Sequence, residues 1–210
     1  EVIRCFSEDV LTRNLICDEL EFINQVANYV VECDGDICLK GGEPEKMIRV
    51  LEEKDMEVVC NIVNENWKNV YSGYVNPLLL NSDGCAARTR RLKTDFVARR
   101  LSEYVWEEEN RVSAMLSFGD TADADMAGAF EIWRIYVAPQ FQGKGIGKML
   151  MDFAEQEAEE QGYKEIVIWA FKNNHHAVSF YKKRGYSIDK EEYLSEPYFS
   201  MGIRLKKNIG

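Results

Sequence analysis

No run of eighteen apolar residues occurs in these 210 residues, so no segment is long enough to cross a bilayer as a helix. No secretory leader is visible either, and a cytoplasmic protein is expected. Cysteine pairs are also missing. Cys5, Cys17, Cys33, Cys38, Cys60 and Cys85 form no C-x-x-C, and Cys33 and Cys38 have no partner histidines. Reduced thiols are expected, with no metal. The only two histidines, His175 and His176, are adjacent and cannot share a helix face, which argues against a metal pair. Positive charge is in deficit: the formal net charge is −10. A nucleic-acid binder needs a basic face, so nucleic acid is excluded as the expected partner. The balance suits an amine, a polyamine or a basic peptide, or simply a soluble surface.

What is present is concentrated in Ile135 to Gly147, IYVAPQFQGKGIG. An apolar strand ends at Val137, and Pro139 cannot donate to a ladder. A loop with Gly143, Gly145 and Gly147 follows. Ile146, Met149, Leu150, Phe153, Ala154 and Ala158 then recur at helical spacing up to Gly162. A strand, a glycine-rich turn and a helix N-terminus together make an anion site. Glycine lets the backbone approach a ligand, and the first-turn N–H groups are unpaired. A pyrophosphate is the expected guest.

Two familiar glycine loops are ruled out. A P-loop needs Ser or Thr after its Gly-Lys, and here Met149 follows Gly147-Lys148. The dinucleotide fingerprint needs a third glycine where Lys148 stands. The remaining pattern is Val137-x-Pro139 followed by Gln142-x-x-Gly145-x-Gly147. Beyond the helix, YKEIVIWAF (163–171) is a nearly continuous apolar run of the kind found in a central buried strand. Next come Asn174, Ala177, Phe180, Tyr181, Gly185 and Tyr186, in the order N-x-x-A-x-x-F-Y-x-x-x-G-Y. Asn174 and Tyr181 lie two helical turns apart and share a face.

These two motifs, in this order and at this separation, resemble those of the GNAT N-acetyltransferase superfamily. The resemblance covers residues 46–206. It implies an α+β fold, the GNAT acyl-CoA N-acyltransferase fold, with a mixed central sheet flanked by helices. Periodicity fills in the rest. A first strand is expected over 47–53, helices over 56–71 and 86–101, and loop signals at 76–77 and 81–84. A hairpin is expected over 102–109 and 111–120, a strand over 128–137, and two strands about Ser195-Glu196-Pro197. Arg88, Arg90, Arg91, Lys93, Arg99 and Arg100 give the second helix a basic face, which is expected to be solvated. Residues 1–44 lie outside the resemblance, leaving 45–210 as the acetyltransferase domain. They show an amphipathic helix over 10–30, a hairpin about Asp34-Gly35 and a linker at 41–44. Three roles are open to this helix-plus-hairpin extension: docking on the domain, building a homodimer interface, or belonging to a larger module.

The resemblance also implies a chemistry: direct acetyl transfer from acetyl-CoA to an amine, with no metal and no acyl-enzyme. Backbone groups from Gln142 through Gly143, Lys144, Gly145, Ile146 and Gly147 would cradle the pyrophosphate, with Lys148 and Lys144 adding charge. The end of the strand, at Tyr136 and Val137, would pair with the pantetheine arm and offer an N–H to the thioester oxygen. Asn174 would cap its helix and touch the coenzyme, and Tyr181 would protonate the leaving thiolate. Glu131 would be the base, since its spacing from Gln142 is similar to that of the histone-acetylating branch. Glu107, Asp120 and Glu192 are the other acids weighed for that role. Strand alternation places Glu131, Trp133, Ile135 and Val137 on one face. The acceptor is expected to be a small or polyamine-like amine. The alternatives are a protein N-terminus or lysine, or a module that binds coenzyme A without turnover.

Overall fold

The computed structural model describes residues 46–210 and two short strands before them, β1 (Val30–Cys33) and β2 (Asp36–Leu39). The chain divides into two compact units, Glu1–Glu45 and Lys46–Gly210. In the first, β1 and β2 pair antiparallel with Cys33 opposite Asp36. The expected helix over 10–30 and the linker at 41–44 lie outside the described residues.

The second unit is built on a seven-stranded sheet. Its strands are β3 (Lys46–Val50), β4 (Ser102–Glu108), β5 (Arg111–Asp120), β6 (Phe130–Val137), β7 (Glu165–Phe171), β8 (Ser187–Leu194) and β9 (Ser200–Asn208). They lie in the order β3-β4-β5-β6-β7-β9-β8. Every neighbouring pair is antiparallel except β6 and β7. The helices are α1 (Met56–Tyr71), α2 (Ser82–Ala98), α3 (Ile146–Glu160) and α4 (His175–Lys183). The β4–β5 turn is the expected tight one, with Glu109 and Asn110 both in the left-handed region.

Two boundaries differ from the sequence reading. The first strand ends at Val50 because Glu52 and Asp55 form a capping box, with Glu52 N–H donating to Asp55 Oδ2 at 2.9 Å. The second helix starts at Ser82, inside the supposed loop. There Asn81 Oδ1 accepts from Gly84 N–H at 2.9 Å and caps the helix. Gly84 is present for close approach, since a Cβ there would lie 2.4 Å from the Leu78 carbonyl oxygen.

Alternation along β5 divides the core. Leu116 and Phe118 pack with Phe130 and Ile132 of β6 and with Leu150, Met151 and Ala154 of α3. Met115, facing the other way, packs with Val59 and Val63 of α1 and Leu92 of α2. The parallel β6–β7 ladder is short: only Phe130 to Ile132 pair with Ile166 to Ile168. β6 runs on to Val137 and β7 to Phe171, so the two strands splay from Trp133 onward.

One charge cluster ties the sheet edge to α1. Arg49 donates to both carboxylate oxygens of Asp55, at 2.6 and 2.9 Å, and its Nε donates to Glu107 at 2.8 Å. The Arg49 hydrogen bonds hold the buried Asp55 below the usual carboxylate range, against the opposing effect of burial. Because the folded value lies below the unfolded value of about 3.9, the stabilisation is full above that pH. It is lost as pH falls through the folded value. Asp55→Asn is therefore expected to cost roughly 2 kcal/mol at pH 7, below the full cost of orphaning a buried charge because Arg49 keeps some solvent. That corresponds to a drop of roughly 4–8 °C in Tm. The gap between the two proteins should narrow at pH 2.5, and a gap that stays constant would assign the loss to packing.

Candidate functional site

The splay leaves the far edge of β6 without a ladder partner, and the loop after it folds into that opening. Val137 carbonyl accepts from Asn66 Nδ2 at 3.0 Å and from Gln142 Nε2 at 3.1 Å. Gln142 Nε2 also reaches Asn66 Oδ1 at 3.2 Å, and Asn66 Nδ2 reaches Ile62 carbonyl at 2.9 Å. Asn66 thus locks α1, the strand end and the loop together. The sequence reading did not single it out. Its signal was an amide set beside Ile62 and Val63, within the apolar stripe of α1.

After the short turn at Pro139–Phe141, Gly143 and Gly145 both adopt positive φ, which any L side chain resists. Gly145 caps α3, and its carbonyl receives the N–H groups of Lys148 and Met149. The N–H groups of Gly143, Lys144, Gly145, Ile146 and Gly147 donate to no described residue. Consecutive unpaired amides at the start of a 15-residue helix are free to donate to an anion. All of these residues but Lys144 line a cleft of about 490 Å³.

Most of the expected residues meet in this cleft. Tyr136 and Val137 line it from β6, and Gln142, Gly143, Gly145, Ile146, Gly147 and Lys148 line it from the loop and α3. Asn174 and Tyr181 line it from α4. Asn174 also caps that helix, accepting from Ala177 N–H at 3.2 Å. Lys148 pairs with Asp152 at 2.8 Å. Lys144 does not line the cleft; its ammonium lies 4.9 Å from the centre of the Phe141 ring. His176, weighed from the sequence only as a metal ligand, also lines it. Tyr181 is buried, and burial, with nearby Tyr136, pushes its phenol well above the usual value, so it stays protonated.

Glu131 lies elsewhere on β6, and the alternation expected for that strand is corrected. Ser117 of β5 pairs with Arg134 and Phe118 pairs with Ile132, so Trp133 is an extra residue in a bulge. The bulge reverses the faces beyond it. Ile135 and Val137 join Phe130 and Ile132 over the α3 core, while Arg134 and Tyr136 join Glu131. Glu131, Trp133, Arg134 and Tyr136 line a second cleft, of about 520 Å³. Tyr136 is common to both linings, and its hydroxyl accepts from Trp67 Nε1 at 3.0 Å.

Glu131 is 6% exposed and accepts from Thr121 Oγ1 at 2.8 Å. Burial raises its pKa, and the Thr121 bond only partly offsets that. Thr121 is held in turn by Asp123 N–H at 3.1 Å. Asp123 accepts from Trp169 Nε1 at 2.9 Å and from the buried Arg204 at 2.7 Å. Of the other candidate acids, Glu107 is bound to Arg49, Asp120 to Tyr163 at 2.6 Å, and Glu192 to Lys190 at 3.4 Å. None of them lines either cleft. The basic face of α2 also differs from expectation. Arg88 turns inward and stacks over Trp67, 4.0 Å from the ring centroid.

Comparisons with known proteins bear on the family and the fold. A family model described as the acetyltransferase (GNAT) family matches residues 60–186. A spermidine N(1)-acetyltransferase of Thermoplasma acidophilum is 24% identical over 68% of this chain and 88% of its own. A peptidyl-lysine N-acetyltransferase of Escherichia coli is 27% identical over 46% of this chain and 58% of its own. Among solved structures, the PaiA N-acetyltransferase of Thermoplasma acidophilum in complex with coenzyme A superposes with a TM-score of 0.61. It is 20% identical and covers 79% of this chain and 99% of its own. A ribosomal-protein-alanine N-acetyltransferase of Brucella melitensis superposes with a TM-score of 0.60 at 19% identity, covering 78% and 99%.

Proposed function

The chain belongs to the GNAT acetyltransferase family, and on that premise we propose that this acyltransferase moves an acetyl group from acetyl-CoA to the primary amine of a small molecule. The observation that carries the reading is the run of unpaired amides from Gly143 to Gly147 at the head of α3. It suits the pyrophosphate of a coenzyme, and the cleft beyond it has room for an extended arm. Acetyl-CoA, when bound, supplies the thioester carbon on which the amine acts.

The residues of this chain have separable tasks. The free edge of β6 from Trp133 to Val137 accepts an amide-rich arm as an added strand and turns an N–H toward the thioester oxygen. An amine with pKa near 10.4 is neutral in only about one molecule in ~2,500 at pH 7. Glu131, at the base of the second cleft, takes that proton directly or through one water, and its raised pKa makes it a stronger base. Tyr181 donates a hydrogen bond to the sulfur as its charge develops. With its pKa raised, full transfer to a thiolate of pKa about 8.5 is uphill, so the bond lowers the barrier and solvent completes the protonation.

A small acceptor is favoured over a protein because loop residues help to wall the second cleft. Pro197 and Tyr198, between β8 and β9, line it, and Asn76 ties them down. Asn76 N–H donates to Tyr198 carbonyl at 2.9 Å, and its Nδ2 donates to Pro197 carbonyl at 3.0 Å. The Thermoplasma relative is named for a polyamine, a precedent for a small amine. Among the described residues no helix is long and apolar enough to span a membrane. Cys60 and Cys85 are free, which supports a reducing, cytoplasmic setting. Residues 1–44 are read as an appendage to the acetyltransferase domain.

Three outcomes test the reading. Coenzyme A at a hundredfold excess over Kd should stabilise the protein by roughly 2.7 kcal/mol in a melting experiment. Gly145→Glu, which sets an anion and a strained side chain in the loop, should abolish that shift; an undiminished shift would remove the loop from the site. Tyr181→Phe is expected to lower kcat by about 10- to 1,000-fold with coenzyme affinity little changed, and unaltered turnover in single-turnover kinetics would end that role. For Glu131→Gln, kcat/KM should fall most near pH 7 and recover toward pH 9.5, where free amine forms without help. A deficit independent of pH, with a lowered Tm, would return Glu131 to a structural part.

A further inference from the structure

The chain as a whole is acidic, yet the charges left uncompensated in the acceptor cleft do not follow that balance. Its lining includes Arg88 and Arg91 from α2, Arg134 and Glu131 from β6, and Asp123. Arg134 is neutralised by Asp95 and by Glu103 at 3.4 Å. Asp123 shares the Arg204 guanidinium, 2.7 Å away, with Asp125 and Asp189, so this side of the cleft keeps an acidic surplus. Among the described residues, neither Arg88 nor Arg91 has a carboxylate within ion-pair distance. Arg88 is nonetheless held firmly. Its Nη1 donates to Asn64 Oδ1 at 2.6 Å, its Nη2 donates to Leu79 carbonyl at 2.6 Å, and its face rests on Trp67. All of these partners are neutral, and Nε donates to no described residue. Burial pulls the Arg88 pKa down, as expected for a desolvated cation with no counter-ion.

A half-buried guanidinium that is fixed in place and lacks an anion is pre-organised to receive one. Glu131 has no described cation within ion-pair distance; it comes from the β6 side of the same cleft, with the under-compensated Asp123 beside it. A cation on α2 and an acid on β6 match a ligand with both signs of charge. We infer that the cleft takes an amine that also carries a carboxylate, with the carboxylate on Arg88 and Arg91 and the amine toward Glu131. Trp67, Trp133, Trp169 and Tyr198 pack its apolar body. A second ammonium, as in a diamine, would face the two arginines and be repelled. The inference rests on the acetyl-transfer reading only in calling this ligand the acceptor.

The test uses matched probes on the full chain with coenzyme present. These are 5-aminopentanoate against 1-aminopentane and 1,5-diaminopentane, and phenylalanine against 2-phenylethylamine. Calorimetry reads binding with coenzyme A, and thiol release from acetyl-CoA reads turnover. At least one amino carboxylate should bind, and be acetylated, at least tenfold better than its partners that lack the carboxylate. Arg88→Met replaces the guanidinium over Trp67 with an uncharged apolar side chain and should raise KM for the amino carboxylate by about 30-fold. Its effect on the plain amine should be at least fivefold smaller. Arg91→Met, at an exposed position with no described partner, should raise the same KM three- to tenfold, and it decides the matter if Arg88→Met fails to fold. Turnover of plain amines or the diamine without a carboxylate preference would overturn the inference and keep the transfer reading. Arginine-dependent binding of an amino carboxylate without thiol release would keep the inference and overturn the transfer reading. No binding and no turnover with any probe would overturn both.

Discussion

The site depends on the point at which β6 and β7 part. Backbone N–H and C=O groups must be paired when buried. Parallel pairing runs only from Phe130 to Ile132, so the rest of β6 keeps an edge that needs another partner. Asn66 and Gln142 satisfy one part of it, the Val137 carbonyl, and their bonds also fix where the glycine loop leaves the strand. The loop then brings its free amides and the head of α3 to the gap the strands have left. An interruption in one ladder thus brings together a cleft, a run of unpaired amides and an unpaired strand edge.

A second departure from regularity arranges the cleft beside α1 and α2. The bulge at Trp133 inserts one residue into β6 and changes which side chains face α1 and α2. Without it, Tyr136 would lie over the α3 core, and Glu131 would not share a cleft with Tyr136. With it, Tyr136 lines both clefts and Glu131 lines the second. The loop before β6 is fixed by the buried Arg204, which binds Asp123, Asp125 and Asp189. Through Asp123 and Thr121 this fixes the partner of Glu131, so the carboxylate's surroundings are set by charges several ångströms away from it.

The overall charge of −10 is a poor guide to the cleft. Most of the acids near it are spent on neighbouring arginines, as Asp95 and Glu103 are on Arg134. What a ligand meets is the remainder, and that remainder includes Arg88. Electrostatic selectivity is set within a few ångströms, where solvent screens least, rather than by the sum over the surface.

The amino-acid sequence by itself determined the order of the elements, the glycine loop and the Asn174–Tyr181 helix, because each rests on local rules. Examples are periodicity in Leu150 and Ala154, left-handed backbone at Gly145, and capping by Asn174. It also separated this loop from the two nucleotide loops, since those differ by single residues at stated positions. Only the tertiary structure decided which face Glu131 shares, because a bulge depends on the neighbouring strand and leaves no local mark. Only packing turned Arg88 from a solvated face onto Trp67, and made Asn66 a clamp rather than one polar residue in an apolar stripe. These are contacts between residues far apart in the chain, such as Asn66 with Val137. Their geometry follows from how whole elements pack, which spacing along one segment does not encode.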